Sequence, residues 1–150
     1  MINIGIVGFG HVVINQHFPI LSCKPDINIS WVVEPNKNQV GFLEKMNIPV
    51  IDSIEYMDNY ETVDIVLITS PYGTRQPIYS HIKNNVKGIY CEKPFAKSVE
   101  EHLKTTEGYS DHCFGIGYNR RALGNVNLIK KIIEDKIFGE LQAIKCQYSY

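Results

Sequence analysis

Six short runs of β-branched and other apolar residues alternate with helix-like segments along most of this 150-residue chain. Several runs are apolar almost without interruption, as in Ile65-Val66-Leu67-Ile68, which is typical of strands buried on both faces of a parallel sheet. The alternation predicts a doubly wound parallel α/β sheet with right-handed crossovers. The expected strands are 3–7, 28–33, 49–51, 64–69, 87–91 and 112–115, with helices near 11–23, 37–46, 53–60, 75–84, 98–108 and 125–136.

Local signals mark some helix boundaries. Ser98-Val99-Glu100-Glu101 has the capping-box pattern, in which a hydroxyl caps the helix and a carboxylate follows three residues later. Pro19 lies inside the first expected helix and should end or kink it, because proline has no backbone N–H to donate.

Composition excludes several classes of protein. Charged residues make up 21% of the chain and its formal net charge is -1, which argues against disorder and gives no field for nucleic acid or an anionic membrane. No apolar run approaches the roughly 20 residues that span a bilayer. The four cysteines, at 23, 91, 113 and 146, are widely spaced, which suggests reduced, mostly buried thiols in the cytoplasm. The histidines show no metal-ligand spacing, so no metal site is expected.

A glycine-rich turn follows the first expected strand. In Gly8-Phe9-Gly10-His11-Val12-Val13, Gly8 permits a tight turn and Gly10 lets the backbone approach a pyrophosphate. The helix that follows offers free N–H groups and the positive end of its dipole. Val13 stands where this Rossmann fingerprint has a small residue, and its branched side chain should push the helix slightly away from the strand. His11 could touch a phosphate or lie on the surface of the turn.

Glu34, at the end of the second strand, strengthens the dinucleotide interpretation. A carboxylate at this place can accept hydrogen bonds from both hydroxyls of the adenosine ribose. It would repel a 2′-phosphate, so NAD is the expected cofactor, with NADP as the alternative because Lys37 lies close by. A domain that binds FAD, coenzyme A or no ligand at all would be compatible with the glycine turn alone.

A second group of residues follows the fourth and fifth strands. Thr69-Ser70-Pro71-Tyr72 and Glu92-Lys93-Pro94 both lie at carboxyl ends of strands, where open α/β sheets bind ligands. A lysine there could donate a proton or hydrogen bond to a substrate oxygen if burial lowers its pKa. The alternative is a surface lysine paired with Glu92.

Taken together, these motifs resemble the N-terminal half of the Gfo/Idh/MocA family (glucose-fructose oxidoreductase, inositol dehydrogenase and rhizopine catabolism). The resemblance covers essentially the whole chain, and Glu-Lys-Pro is its most specific part. Three departures are Val13, Arg75 at a position where many members have histidine, and Leu123-Gly124. The matching segments are Gly8-x-Gly10, His17–Leu21, Val33–Asn36, Ser70-Pro71, Glu92-Lys93-Pro94 and Gly117–Arg121.

The resemblance implies an NAD(P)-dependent oxidoreductase that transfers hydride between nicotinamide and a hydroxyl of a sugar, cyclitol or nucleotide sugar. It implies that Lys93 is the acid/base residue, beside both the nicotinamide and the substrate hydroxyl. The implied cofactor-binding residues are those of the turn and of the strand ends: Gly8, Phe9, Gly10, His11, Val12, Glu34, Ser70, Pro71, Tyr72, Glu92, Lys93, Pro94, Asn119 and Arg120.

The last part of the chain has a different pattern. Residues 1–120 are expected to form the NAD(P)-binding domain. Residues 121–150 should form a connecting helix and, at 141–150, the first strand of an antiparallel substrate domain. Family members are more than twice as long, so this chain is expected to be a truncated member. Two other interpretations stay open: a dinucleotide-binding module without catalysis, and an interaction protein or homo-oligomer whose terminal strand pairs with another chain.

Overall fold

Six parallel strands form one sheet in the order β3-β2-β1-β4-β5-β6. The computed structural model describes residues 1–82, 86–107, 109 and 111–147, and the side chain of Asp58 lies outside that description. The strands are β1 (Ile2–Val7), β2 (Ile27–Val33), β3 (Val50–Ile51), β4 (Ile65–Ile68), β5 (Gly88–Cys91) and β6 (Cys113–Ile116). The predicted doubly wound parallel sheet is therefore confirmed, with each strand within one residue of its expected bounds.

Helical segments connect the strands. The α-helices are α1 (Phe18–Leu21), α2 (Gly41–Lys45), α3 (Arg75–Ile82), α4 (Val99–Thr106) and α5 (Gly124–Glu134). A π-helical segment, Val13–His17, precedes α1, and 3-10 segments occupy Lys37–Gln39, Ile54–Asn59, Tyr72–Thr74 and Asn119–Ala122. No helix within the described ranges has both the length and the apolar character needed to cross a bilayer.

Pro19 does not end the first helix, which excludes one of the two predicted effects of this residue. It lies in the first turn of α1, and the N–H of Phe18 bonds to the carbonyl of Val13, five residues back. The wider π turn relieves the clash that a proline ring makes with the preceding helical turn, so the helix continues to Leu21.

Two apolar layers cover the sheet, one on each face. The layer on one face contains Phe9, Val13, Phe18 and Leu43 from the first two crossovers and Val32 from β2. The layer on the other face packs helix α3 and the 54–59 segment against β1, β4 and β5 through residues such as Ile68 and Ile78. Of the four cysteines only Cys91 is buried, which corrects the expectation of mostly buried thiols.

Gly5 and Trp31 show how closely the central strands approach each other. Gly5 in β1 lies opposite Trp31 in β2, next to an irregularity in the register after Ile4. The indole is 1% exposed and its Nε1 donates to the carbonyl of Glu61 at 3.0 Å. A Cβ on Gly5 would lie 2.2–2.5 Å from three atoms of this ring, so only glycine fits beneath it.

The chain divides into two compact units, Met1–Gly117 and Tyr118–Tyr150. In the second unit, α5 carries exposed apolar side chains such as Leu128 and Ile129. Residues 141–147 are in neither helix nor strand, which differs from the predicted strand 141–150, and residues 148–150 lie outside the described part. A strand requires ladder hydrogen bonds to a neighbour, and no described residue supplies them to 141–147.

Candidate functional site

Gly8 forms the turn at the carboxyl end of β1. Its φ is +90°, and a Cβ at this position would lie 2.7 Å from the backbone nitrogen of Ser70. The N–H of Gly8 donates to Val33 at 2.8 Å, and its carbonyl accepts from the hydroxyl of Thr69 at 2.7 Å. The turn therefore fastens together the ends of β1, β2 and β4, and both its backbone conformation and its packing require glycine.

Gly10 differs from Gly8 because a Cβ there would meet no atom within 4 Å. Its carbonyl accepts the first helical hydrogen bond, from Ile14 at 3.1 Å, so the first helix begins directly after it. His11 is exposed and Val12 is half-buried at this helix start. An accessible backbone beside the amino end of a helix is the arrangement that binds phosphate groups.

Val13 is accommodated without being exposed. Its side chain is fully buried in the layer that contains Phe9 and Val32. The helix takes up its π-helical form at this residue. The wider turn gives the branched side chain space that a small residue would not need.

Glu34 is buried, and backbone groups hold its carboxylate. One oxygen accepts from the N–H of Phe9 at 2.7 Å and the other from the N–H of Asn36 at 2.9 Å. A carboxylate has about four lone-pair positions, so each oxygen can accept a further donor. Lys37 pairs with Asp52 at 3.3 Å, and both of these side chains are exposed. The Phe9 ring is buried against Phe18, which leaves only the backbone of Phe9 to face a ligand.

The segment after β4 brings Ser70, Pro71 and Tyr72 to the same edge of the sheet. Ser70 Oγ is buried and has no hydrogen-bond partner among the described residues. The Tyr72 hydroxyl donates to the carboxylate of Glu101, which also accepts from the N–H of Lys97 at 2.8 Å. Ser98 caps the N–H of Glu101 at 3.1 Å, as the capping-box pattern predicts, although the Glu101 carboxylate bonds to Lys97 instead of Ser98.

The contact between Tyr72 and Glu101 predicts that the stability of the fold decreases at acidic pH. The hydrogen bond from Tyr72, followed by that from the Lys97 N–H, lowers the pKa of Glu101 below its ordinary value of 4.5. A depressed carboxylate pKa stabilises the fold above the ordinary value, and this contribution disappears as pH falls through the depressed pKa. We expect the urea midpoint of Glu101→Gln to be lower than that of the natural chain at pH 7, and the two to converge as pH falls from 4.5 through the depressed pKa. If the urea midpoints of the two proteins still differ at the lowest pH, the loss of stability comes from packing and not from the charge of Glu101.

The segment after β5 contains Glu92, Lys93 and Pro94. Glu92 accepts a hydrogen bond from His17 Nε2 at 2.9 Å when that nitrogen carries its proton. A Cβ on Gly117 would lie 2.9 Å from the Glu92 carboxylate, so glycine at 117 leaves room for it. Lys93 and Pro94 are exposed, and the peptide bond between them is cis. Glu92 therefore pairs with His17 instead of Lys93. The prediction that Lys93 donates a proton assumed a buried lysine, and the described residues do not bury it.

Arg75 lies between the two segments, and the sequence pattern did not reveal its contacts. Its side chain is 3% exposed, and Nε donates to the carbonyl of Ser70 at 2.9 Å. Its Nη1 lies 2.5 Å from the carbonyl oxygen of Glu92 and 2.7 Å from that of Pro94. Arg75 is thus buried beneath both segments. In the sequence, the one sign of this role is an arginine at a position where the family resemblance leads one to expect histidine.

Asn119 and Arg120 belong to the second compact unit, within the 3-10 segment Asn119–Ala122, and both are exposed. The other proposed cofactor residues all lie in the first unit. Within that unit, the turn after β1 and the segments after β4 and β5 share the carboxyl edge of the sheet.

A dinucleotide fits the residues at this edge. β1 lies between β2 and β4 in the sheet. The chain runs from β1 outward to β2 and β3 on one side, and then returns to β4 on the other side. Because the strand order reverses at this point, a crevice opens between the carboxyl ends of β1 and β4. Gly10 presents open backbone there, Glu34 is held at the end of β2, and Ser70 Oγ is an unpaired donor and acceptor at the end of β4. Gly8, Gly10 and the helix start would hold a pyrophosphate, Glu34 a ribose, and the segments after β4 and β5 the nicotinamide.

Comparison with known proteins identifies the family of the chain. The model of the Gfo/Idh/MocA family, described as an oxidoreductase family with an NAD-binding Rossmann fold, matches residues 2–110. The chain is 24% identical to 2,7-anhydro-N-acetylneuraminate hydratase of Escherichia coli over 94% of its own length and 38% of that protein's. It is also 24% identical to the Bacillus subtilis scyllo-inositol 2-dehydrogenase (NADP(+)) IolW over 99% of its length and 42% of that protein's.

Solved structures show the same fold. Apo scyllo-inositol dehydrogenase from Lactobacillus casei superposes with a TM-score of 0.80 at 22% identity, over 93% of this chain and 43% of that one. The chain therefore spans about two fifths of the length of the relatives it matches.

Proposed function

Because the chain belongs to the Gfo/Idh/MocA family of NAD-binding oxidoreductases, we propose that its glycine turn binds a nicotinamide dinucleotide and that Lys93 serves hydride-transfer chemistry at a substrate hydroxyl. The observation that carries the proposal is the crevice between β1 and β4, with Gly8 and Gly10 at its base. Open sheets of this strand order bind dinucleotides at that place.

Each part of the cofactor has residues suited to it. The backbone at Gly10 and the start of the first helix would bind the pyrophosphate, with His11 and Val12 at its side. Glu34, fixed by two backbone N–H groups, would accept from the ribose hydroxyls of the adenosine. Because Lys37 is already paired with Asp52, the nearest cation is not free to offset the repulsion between Glu34 and a 2′-phosphate. We therefore propose NAD in preference to NADP.

The nicotinamide would lie against Ser70, Pro71 and Tyr72 on one side and Glu92, Lys93 and Pro94 on the other. When bound, the nicotinamide supplies the hydride acceptor or donor. Lys93 would then take or return the proton of the substrate hydroxyl, because its amine lies exposed on the segment that follows β5 and can reach a bound substrate.

The proposed substrates are sugars, cyclitols or nucleotide sugars. The names of two relatives refer to an N-acetylneuraminate derivative and to scyllo-inositol, both polyhydroxylated rings. One of these relatives is named as a hydratase, so we restrict the proposal to the hydride-transfer step and to carbon atoms that bear hydroxyl groups.

Replacing Gly10 with alanine tests where the cofactor binds. A Cβ at Gly10 meets nothing in the protein but would occupy the space into which a pyrophosphate must come. We expect the Kd for NADH, measured by fluorescence titration, to rise about tenfold or more, equivalent to about 1.4 kcal/mol, while the urea midpoint stays unchanged. NADPH should bind more weakly than NADH to the natural chain.

Gly41→Ala is the matched control, because a Cβ at Gly41 also meets nothing within 4 Å and this residue lies outside the turn. Its Kd for NADH should equal that of the natural chain. Absence of saturable NADH binding to the natural chain would refute the proposed cofactor site, and equal Kd values for the two alanine variants would place the pyrophosphate elsewhere.

A further inference from the structure

Arg75 joins two segments that are distant in the sequence. From the first residue of α3, its guanidinium reaches the carbonyl of Ser70 on the segment after β4 and the carbonyls of Glu92 and Pro94 on the segment after β5. Nη1 also lies 3.1 Å from Cys91 Sγ. Of the accepting carbonyls on the segment after β5, one belongs to the residue immediately before Lys93 and the other to the residue immediately after it.

The charge of Arg75 is balanced by backbone dipoles. None of the ion pairs formed by the described residues includes Arg75, although its side chain is only 3% exposed. A buried cation is costly unless its donors are satisfied, so the three carbonyl groups are the reason that it can be retained. Conversely, each of these carbonyls needs a donor, and Arg75 supplies one to both segments at once, although the Glu92 carbonyl also accepts from the Cys91 thiol at 3.3 Å.

We propose that Arg75 is a positioning residue that fixes the distance between the segments after β4 and β5, and with it the placement of Lys93 against the nicotinamide. The part of this proposal that concerns the nicotinamide rests on the proposed function. The clamp itself, defined as the guanidinium and the Ser70, Glu92 and Pro94 carbonyls, rests on the contacts alone. Only arginine has separate donors on a rigid planar fork that remain charged when buried, so neither lysine nor histidine can replace it.

Hydrogen exchange of the chain without ligand tests the clamp. In Arg75→Lys, which keeps the charge but has a single nitrogen, we expect faster amide exchange within 70–74 and 92–97 and unchanged exchange in β1 and β2. Arg75→Met, which removes the charge as well, should show the same pattern more strongly if it folds. Gln76→Ala is the control, because the side-chain hydrogen bond of Gln76 goes to Thr105 in α4 and not to either segment. Faster exchange throughout the chain, or none in these segments, would overturn the clamp.

Two ligands separate positioning of the nicotinamide from general damage to the site. ADP-ribose has the adenosine, the pyrophosphate and a second ribose but lacks the nicotinamide ring. We expect Arg75→Lys to weaken NADH binding about tenfold and ADP-ribose binding less than about twofold, since only NADH has a ring that would lie against the two segments. Equal weakening of both ligands would overturn the positioning role. If the natural chain binds neither ligand, the proposed function fails, whereas selective exchange at the two segments still supports the clamp.

Discussion

Replacing Gly5 with alanine is expected to destabilise the chain by about 3 kcal/mol, at the upper end of what overpacking of a core costs. The added Cβ would lie 2.2–2.5 Å from three atoms of the Trp31 ring, and that ring cannot move away because it is buried and hydrogen-bonded to Glu61. Urea unfolding followed by far-ultraviolet circular dichroism measures the loss. In a thermal scan the same loss should lower the midpoint by about 6–12 °C for a chain of this size.

Gly88→Ala is the matched control because it places the same methyl group on a central strand where the nearest atoms lie at an ordinary 3.5 Å. It should change the free energy of unfolding by less than about 1 kcal/mol. Trp31→Phe removes the outer ring atoms that clash with the new Cβ, so the double variant should lose less stability than the sum of the two single variants. Equal stabilities of the two alanine variants would contradict the account given for Gly5.

Replacing Lys93 with methionine is expected to lower kcat by about 10²–10⁴-fold, the range associated with loss of a general acid or base. Methionine is an unbranched side chain one atom shorter than lysine, and it removes the amine with its charge and its proton. The measurement is the rate of nicotinamide reduction with a panel of cyclitols, sugars and nucleotide sugars, at saturating NAD. NADH affinity should change less than about threefold, since the pyrophosphate and ribose contacts are elsewhere.

Lys97→Met serves as the comparison, because Lys97 is another exposed lysine four positions along the same segment, with its charge over the Tyr72 ring. It should leave kcat within about threefold of the natural value. Equal rates for Lys93→Met and the natural chain would remove Lys93 from the mechanism. A natural chain that binds NADH but turns over no member of the panel would contradict activity of the 150 residues on their own.

The strands and the glycine turn could be predicted from the sequence because their signals are local. A strand buried on both faces must be apolar along its length, and Ile65–Ile68 shows this directly. The turn is set by Gly8 and by the helix that follows it, which are adjacent in the chain. Predictions of helix ends were less accurate, since α2 and α4 are shorter than the predicted 37–46 and 98–108.

Contacts between residues far apart in the chain could not be predicted in this way. The hydrogen bond between His17 and Glu92 and the three carbonyls around Arg75 depend on how strand ends meet in space. Nothing in the local pattern distinguishes Arg75 from a surface arginine at the start of a helix. The strand predicted at 141–150 is absent at 141–147 for a related reason. Alternating apolar residues make a segment suitable for a strand, but the strand also needs a neighbouring strand to bond to, and the local pattern does not show whether one is present.

The position of β1 at the centre of the sheet determines when the glycine turn can be completed during folding. β1 pairs with β2 soon after it in the chain, but Ile4 must also find Ile65 of β4, which closes a long loop at an entropic cost. Until β4 joins, the half-sheet β3-β2-β1 presents β1 as a bare apolar edge to other chains. Gly8 also has no Ser70 or Thr69 to pack against before that moment. Completion of the turn therefore requires β4 to have paired with β1, and the same pairing covers the apolar edge of β1.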